Sequence, residues 1–225
     1  MLGIMGAMDI EVRAIRTGIT DAHEQTILGY QVTTGQLENR PVALVRCGVG
    51  KVNAAVATVA LAQLGVSGIV FTGMAGGVGE GVEVGDAVVA TDFVQHDIDA
   101  TAMGFPPGSL LGDPGIWPAD RELSDAAAGA AANLMVRVHR GRIASGDQFI
   151  ASTEKSSWIR EQFGAVAVEM EGAAVAQVAQ RLGVPLAVLR WISDTADHHA
   201  AVDFPAFTKH IAELDLAVLS ALLAG

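Results

Sequence analysis

From Val52 to Gly79 the chain carries no charged residue. A run of that length either crosses a bilayer or folds back into a protein interior. Asn53, Thr58, Gln63, Ser67 and Thr72 are scattered through it, and Gly65 and Gly68 divide it. The pattern therefore predicts a helix over about 51–64 followed by a buried strand near 68–73, and no membrane insertion.

The rest of the chain has the same grammar. Leu2 to Gly6 is a short apolar opening strand, after which Asp9 is expected to cap a helix over IEVRAI. GYQVTTGQ (29–36) and PVALVRC (41–47) flank the polar turn LENR and predict a hairpin. Further strands are expected over 84–95, 137–144, 165–169 and 186–193. Helices are expected over 120–134, 152–163, 171–183 and 204–223. The segment TAMGFPPGSLLGDPGIWP (101–118) breaks the alternation. It is a long Gly/Pro-rich connection whose Met103, Phe105, Leu110, Leu111, Ile116 and Trp117 need cover from a subunit interface or a lid. Without repeats or linkers, this predicts one α/β domain over residues 1–225: a three-layer fold with a mixed, twisted central sheet flanked by helices.

Composition narrows the function. With 225 residues, 51% hydrophobic and 5% aromatic, the core is built from Ala, Val, Leu and Ile. The formal charge of -11 without a basic run argues against nucleic acid and anionic membranes as partners. Cys47 is the only cysteine, so no internal disulfide can form. The opening MLGIMGAMDIEVRAIR does not read as a secretory signal, and a cytoplasmic location is expected.

In open α/β sheets ligands bind beyond the carboxyl ends of strands. Four such exits carry small residues with acids or glycines: GAMDIE (6–11), TGMAGG (72–77), VEMEGA (168–173) and ISDTAD (192–197). Small residues admit a ligand to the backbone, and the acids can move protons. Within VEMEGA, Glu169 and Glu171 interrupt an apolar run. They either begin a helix, one of them satisfying its free amides, or serve a ligand.

GIMGAMDIEV, TGQL, GVGKVNAA, TGMAGG, SGDQF, AVEMEGAAVA and RWISDTAD stand in the order, and at spacings, that resemble the 5′-methylthioadenosine/S-adenosylhomocysteine nucleosidases of the purine nucleoside phosphorylase superfamily. The resemblance runs from the first strand to the final helix. It implies hydrolytic release of adenine from an adenine nucleoside in methionine salvage, with no cofactor and no metal, by a homodimer. It implies that Glu11 is the base for the attacking water, in a first helical turn that favours its ionised form, and that Asp194 is the acid toward N7 of adenine. Glu171 would accept from the ribose hydroxyls with Met170 packed on the sugar. Glu169 would serve as a structural partner for a backbone group or an Arg. Phe149 and Ile150 would stack on adenine and read its edge, Ser193 would hold Asp194, Arg190 would neutralise part of the acidic cluster and order water or the ribose face, and Val49 would line the sugar pocket.

Two residues depart from the family pattern. Met74 stands where many relatives have Ser or Thr, and Met103 stands where an aromatic is common near the 5′ substituent, on a segment that would line the partner subunit's pocket. QHDID and SGDQF resemble members that accept aminofutalosine.

Three other readings compete. A phosphorylase needs arginines for its dianion; TGMAGG has none beside it, and Asp9 and Glu11 would repel phosphate. A noncatalytic nucleoside-binding protein would not need Glu11, Glu171 and Asp194 together. A metal hydrolase could draw ligands from DTADHH and QHDID, but their spacing matches no dedicated site.

Overall fold

The computed structural model describes residues 1–109, 112–113, 115–197 and 200–224, the side chains of 201–210 excepted. The described elements run β1 (Leu2–Gly6), α1 (Asp9–Gly18), β2 (Thr20–Ile27), β3 (Tyr30–Leu37), β4 (Arg40–Arg46), α2 (Lys51–Gln63), β5 (Ile69–Gly77) and β6 (Ala87–Gln95). After a single 3-10 turn at Thr101–Met103 come β7 (Ile116–Pro118), α3 (Arg121–Ala132), β8 (Val138–Ser145) and α4 (Thr153–Phe163). The chain ends with β9 (Ala165–Glu169), α5 (Gly172–Leu182), β10 (Leu186–Asp194) and α6 (Ala200–Ala224).

The strands form one mixed sheet, in the order β10-β6-β8-β9-β5-β1-β4-β3-β2, with β7 paired to β6. β5 closes part of it into a ring. Residues 69–71 of β5 lie parallel to β1, residues 69–76 lie parallel to β10, and Gly76–Gly77 pair antiparallel with β9. Residue 76 must be small for this, because a Cβ there would stand 2.9 Å from that of Ala196 and 3.0 Å from the Asp194 carboxylate.

Period-two alternation puts a separate core on each face. Met5, Ala43, Val45, Ile69 and Phe71 face Ala54, Ala57 and Leu61 of α2 and Ala173, Val175 and Ala176 of α5. Their sequence neighbours Ile4, Val42, Leu44 and Val70 face Val12 and Ile15 of α1, Ala130 and Ala131 of α3, and Ile211, Val218 and Leu219 of α6. The uncharged run is thus a central strand buried throughout and a helix that buries one face against it. No described helix is long and apolar enough to cross a membrane.

Three local expectations change. β2 was not legible: TDAHEQTI is exposed almost throughout, so no apolar alternation marks it, and only its pairing with β3 makes it a strand. The N-cap of α1 is Met8, with Asp9 already helical; the capping carboxylate belongs to Glu11, whose side chain turns back to the Met8 amide. The 101–118 connection is not structureless: Trp117, buried, pairs with Phe93 across β7 and β6. Leu110 and Leu111 lie outside the described residues.

Candidate active site

The carboxyl ends of the strands enclose a cavity of about 250 Å³. Glu11, Met74, Val49, Phe149, Ile150, Met170, Glu171, Ser193 and Asp194 all line it, so the three acids singled out in the sequence face one space. Ala7, Met8, Ala75, Gly76, Gln148, Val168 and Glu169 complete the wall. Ala7, Met8, Ala75, Gly76, Val168 and Glu169 belong to the strand exits singled out in the sequence, and Gln148 belongs to SGDQF.

Glu11 is held by backbone alone. Its Oε2 accepts from the amides of Ala7 at 2.7 Å and Met8 at 2.8 Å, and its Oε1 from the amide of Met74 at 3.2 Å. Burial still wins: desolvation raises its pKa above the ordinary carboxylate value, against the pull of Arg190 and these three amides. The helical position does not lower its pKa: burial outweighs it and leaves Glu11 a more basic group than a free carboxylate. Gly73, at φ +152°, allows this approach, since a Cβ there would stand 2.7 Å from Glu11 Oε1.

The two glutamates of VEMEGA divide the work. Glu169 accepts from the amides of Glu171 (3.1 Å) and Gly172 (2.8 and 3.0 Å), from the Ser145 hydroxyl, and from Arg190 Nη2 at 2.7 Å. It therefore anchors the start of α5. Glu171 makes a different contact: its Oε1 accepts from the amide of Gly50, at the start of α2, at 2.7 Å. Burial, and then the neighbouring Glu169, push its pKa up to about 8.

Arg190 does not line the cavity. It lies fully buried behind it, 3.9 Å from Glu171 Oε2 and with its guanidinium 3.9 Å from the centre of the Phe71 ring. Its contact is with carboxylates rather than with the ribose face: it supplies the positive charge that lets several acids share one interior. Met103 is 70% exposed and is not part of the cavity wall of this chain. At the end of β10, Asp194 accepts from the Ser193 hydroxyl at 2.8 Å and from the amide of Ala196 at 2.9 Å.

One buried acid escaped the sequence reading. Asp215, on α6, accepts from the Trp191 indole at 2.9 Å; burial, then the nearby Glu11, raises its pKa well above the ordinary value. Nothing in the local sequence marks it, because its neighbours come from β5 and β10.

Four carboxyl groups thus line the cavity, and among the described residues no Lys or Arg does. Such a wall disfavours a phosphate dianion and favours a ligand that develops positive charge. Among the described residues, no group of three or more His, Cys, Asp or Glu is arranged to hold a metal ion. His198 and His199 lie outside the described residues.

Comparison with known proteins identifies the family and the fold. The chain matches the phosphorylase superfamily over residues 1–224. It is 40% identical over 227 residues to a 5′-methylthioadenosine/S-adenosylhomocysteine nucleosidase of Actinobacillus succinogenes, covering 98% of this chain and 99% of that one. The crystal structure of the Neisseria meningitidis nucleosidase in complex with methylthio-immucillin-A superposes with a TM-score of 0.93 at 34% identity, covering 99% and 98% of the two chains. A futalosine hydrolase of Helicobacter pylori superposes with a TM-score of 0.93 at 34% identity, covering 99% and 96%. Given matches along nearly the whole chain in both sequence and fold, the chain belongs to the 5′-methylthioadenosine/S-adenosylhomocysteine nucleosidase family of the phosphorylase superfamily.

Proposed function

We propose that this chain hydrolyses the N-glycosidic bond of 5′-methylthioadenosine and S-adenosylhomocysteine, releasing adenine. The observation that carries the reading is one cavity bounded by Glu11, Glu171 and Asp194, with no Lys or Arg among the described residues of its wall to hold phosphate.

The chemistry follows from what each group can do. Glu11 takes a proton from a water aimed at C1′ of the ribose. As the C1′–N9 bond breaks, its electron pair passes to adenine, and Asp194 donates a proton at N7 so that a neutral base departs. Positive charge grows on the sugar meanwhile, and the acceptor oxygens of Glu171 and the carboxylate that Asp194 becomes lower its energy. Glu171 accepts from the ribose hydroxyls while Met170 packs on the ring. Phe149, half exposed at the rim, stacks on adenine, and Ile150 reads its edge through backbone groups. Val49 covers the sugar, and Ser193 orients Asp194. Met74 holds Glu11 through its amide, and its thioether cannot donate to the water.

A homodimer is part of the same reading, with Met103 of one subunit reaching the other's 5′ pocket. Its support is the apolar surface this chain leaves uncovered: Met103 itself, and Val52 and Val56 on the helix that starts at the cavity rim. Sedimentation at assay concentrations is expected to give twice the 23.2 kDa chain mass; a fully active monomer would defeat the dimer. A cytoplasmic role in methionine salvage fits a chain whose single cysteine is buried as a free thiol.

The deciding assay compares adenine release from methylthioadenosine, S-adenosylhomocysteine, 5′-deoxyadenosine and aminofutalosine, with and without phosphate. Adenine and free sugar are expected without phosphate. A strict phosphate requirement would make the chain a phosphorylase.

A further inference from the structure

Outside the cavity, three charged side chains tie together two of the segments that form its wall. Lys51 Nζ lies 2.6 Å from Asp97 Oδ1 and donates to Gln95 Oε1 at 3.1 Å. The other oxygen of Asp97 accepts from the amide of Asp147 at 2.9 Å. The Asp147 carboxylate in turn accepts from the amide of Lys51 at 2.8 Å. The circuit returns to its start, and none of its three members lines the cavity. Lys51 and Asp97 are largely buried, with 17% and 13% of their side chains exposed, so solvent screens the pair little. Burial pushes the Asp97 pKa up, but the Lys51 ammonium and the Asp147 amide outweigh it and hold the carboxyl below its ordinary value.

Each strand of the circuit leads to cavity residues. Asp147 stands two and three positions before Phe149 and Ile150. Lys51 follows Gly50, whose amide holds Glu171, and Val49, which lines the wall. Close approach of the segments needs two glycines. A Cβ on Gly50, at φ +99°, would stand 3.0 Å from Asp147 Oδ1, and one on Gly146 would stand 2.5 Å from the His96 ring. The loop after β8 is thus seated on the end of β6 and on the first turn of α2.

We infer that Asp97 and Lys51 are positioning residues: through Asp147 they lock the Phe149–Ile150 loop and the Gly50 amide into one rigid frame, fixing the adenine-facing wall relative to Glu171. The part that concerns adenine rests on the function proposed above; the mechanical link does not. The clamp sets how well the nucleoside is held, while Glu11 and Asp194, which it does not touch, carry the bond cleavage.

The test uses Asp97→Asn, Lys51→Met and the double variant in the full-length protein. Each single variant is expected to raise KM for methylthioadenosine about tenfold with kcat within about threefold of the unaltered chain. The double variant is expected to be no worse than the worse single by more than about twofold, since both break one circuit. Hydrogen exchange without ligand is expected to speed up at residues 146–150 and 49–52 and to stay unchanged in β1 and α1. Unchanged KM and unchanged loop exchange, even with a lowered Tm, would assign the pair a merely structural role and overturn the inference. Multiplying effects in the double variant, or a fall in kcat without a rise in KM, would overturn it too. If the unaltered chain releases no adenine, the functional reading fails, and the exchange data on the unliganded chain still decide the clamp.

Discussion

Glu11→Gln is expected to lower kcat for adenine release by about 10²–10⁴-fold while leaving the Kd of a nonhydrolysable nucleoside analogue within about threefold. The substitution keeps the length and shape of the side chain and removes its ability to take a proton. The Gln oxygen can replace Oε2, which receives two amides, while the Gln amino group then faces the Met74 amide at the longest of the three contacts. That mismatch costs on the order of 1 kcal/mol of stability, too little to unfold a domain of this size. The pH profile adds a second check. The base must be ionised, so the rate falls as pH drops through the raised pKa of Glu11, and that acid limb is expected to vanish from the residual activity of the variant. A variant rate within about tenfold of the unaltered chain would remove Glu11 from the mechanism.

Asp194→Asn tests the opposite end of the bond. Asn keeps an oxygen for the Ala196 amide and presents its amino group to the Ser193 hydroxyl, which can accept, so the strand end keeps its form. What it loses is the proton for N7. The expected loss in kcat with methylthioadenosine is about 10²–10⁴-fold. With 4-nitrophenolate in place of adenine, a leaving group that needs no proton, the loss is expected to shrink to about tenfold or less. Equal losses on both substrates would mean that Asp194 holds the nucleoside rather than protonating its base.

The paired glutamates show why neighbouring acids need not share a role. The helix-start reading of VEMEGA holds for Glu169, and the ligand reading of Glu171 stays part of the function proposed above. Glu169 satisfies the amides at the start of α5 and takes the Arg190 guanidinium; Glu171 faces the cavity and reaches the Gly50 amide, 121 residues away in the chain. One guanidinium among these acids leaves the interior short of positive charge, which is why burial raises the pKa values of Glu11, Glu171 and Asp215 together.

Much of this protein was legible residue by residue. Apolar runs bounded by Gly specified most of the strands, helical spacing of apolar residues and capping residues specified the helices, and the acids at strand exits marked where the cavity lies. Those signals act between residues a few positions apart, so a one-dimensional pattern carries them. The exposed strand β2 had no such pattern, and neither did Asp215 or the Lys51–Asp97–Asp147 circuit. The seat of Arg190 behind the cavity rather than in it, and the raised pKa of Glu11, were likewise decided by folding. A side chain's partners and its solvation are sums over elements that meet only in three dimensions: Glu11 is held by Met74, 63 residues further on, and desolvated by a core no local window contains. Sequence alone determined most of the elements and the chemical types at their ends; the tertiary structure decided which charges meet, and therefore which carboxyl groups are made more basic.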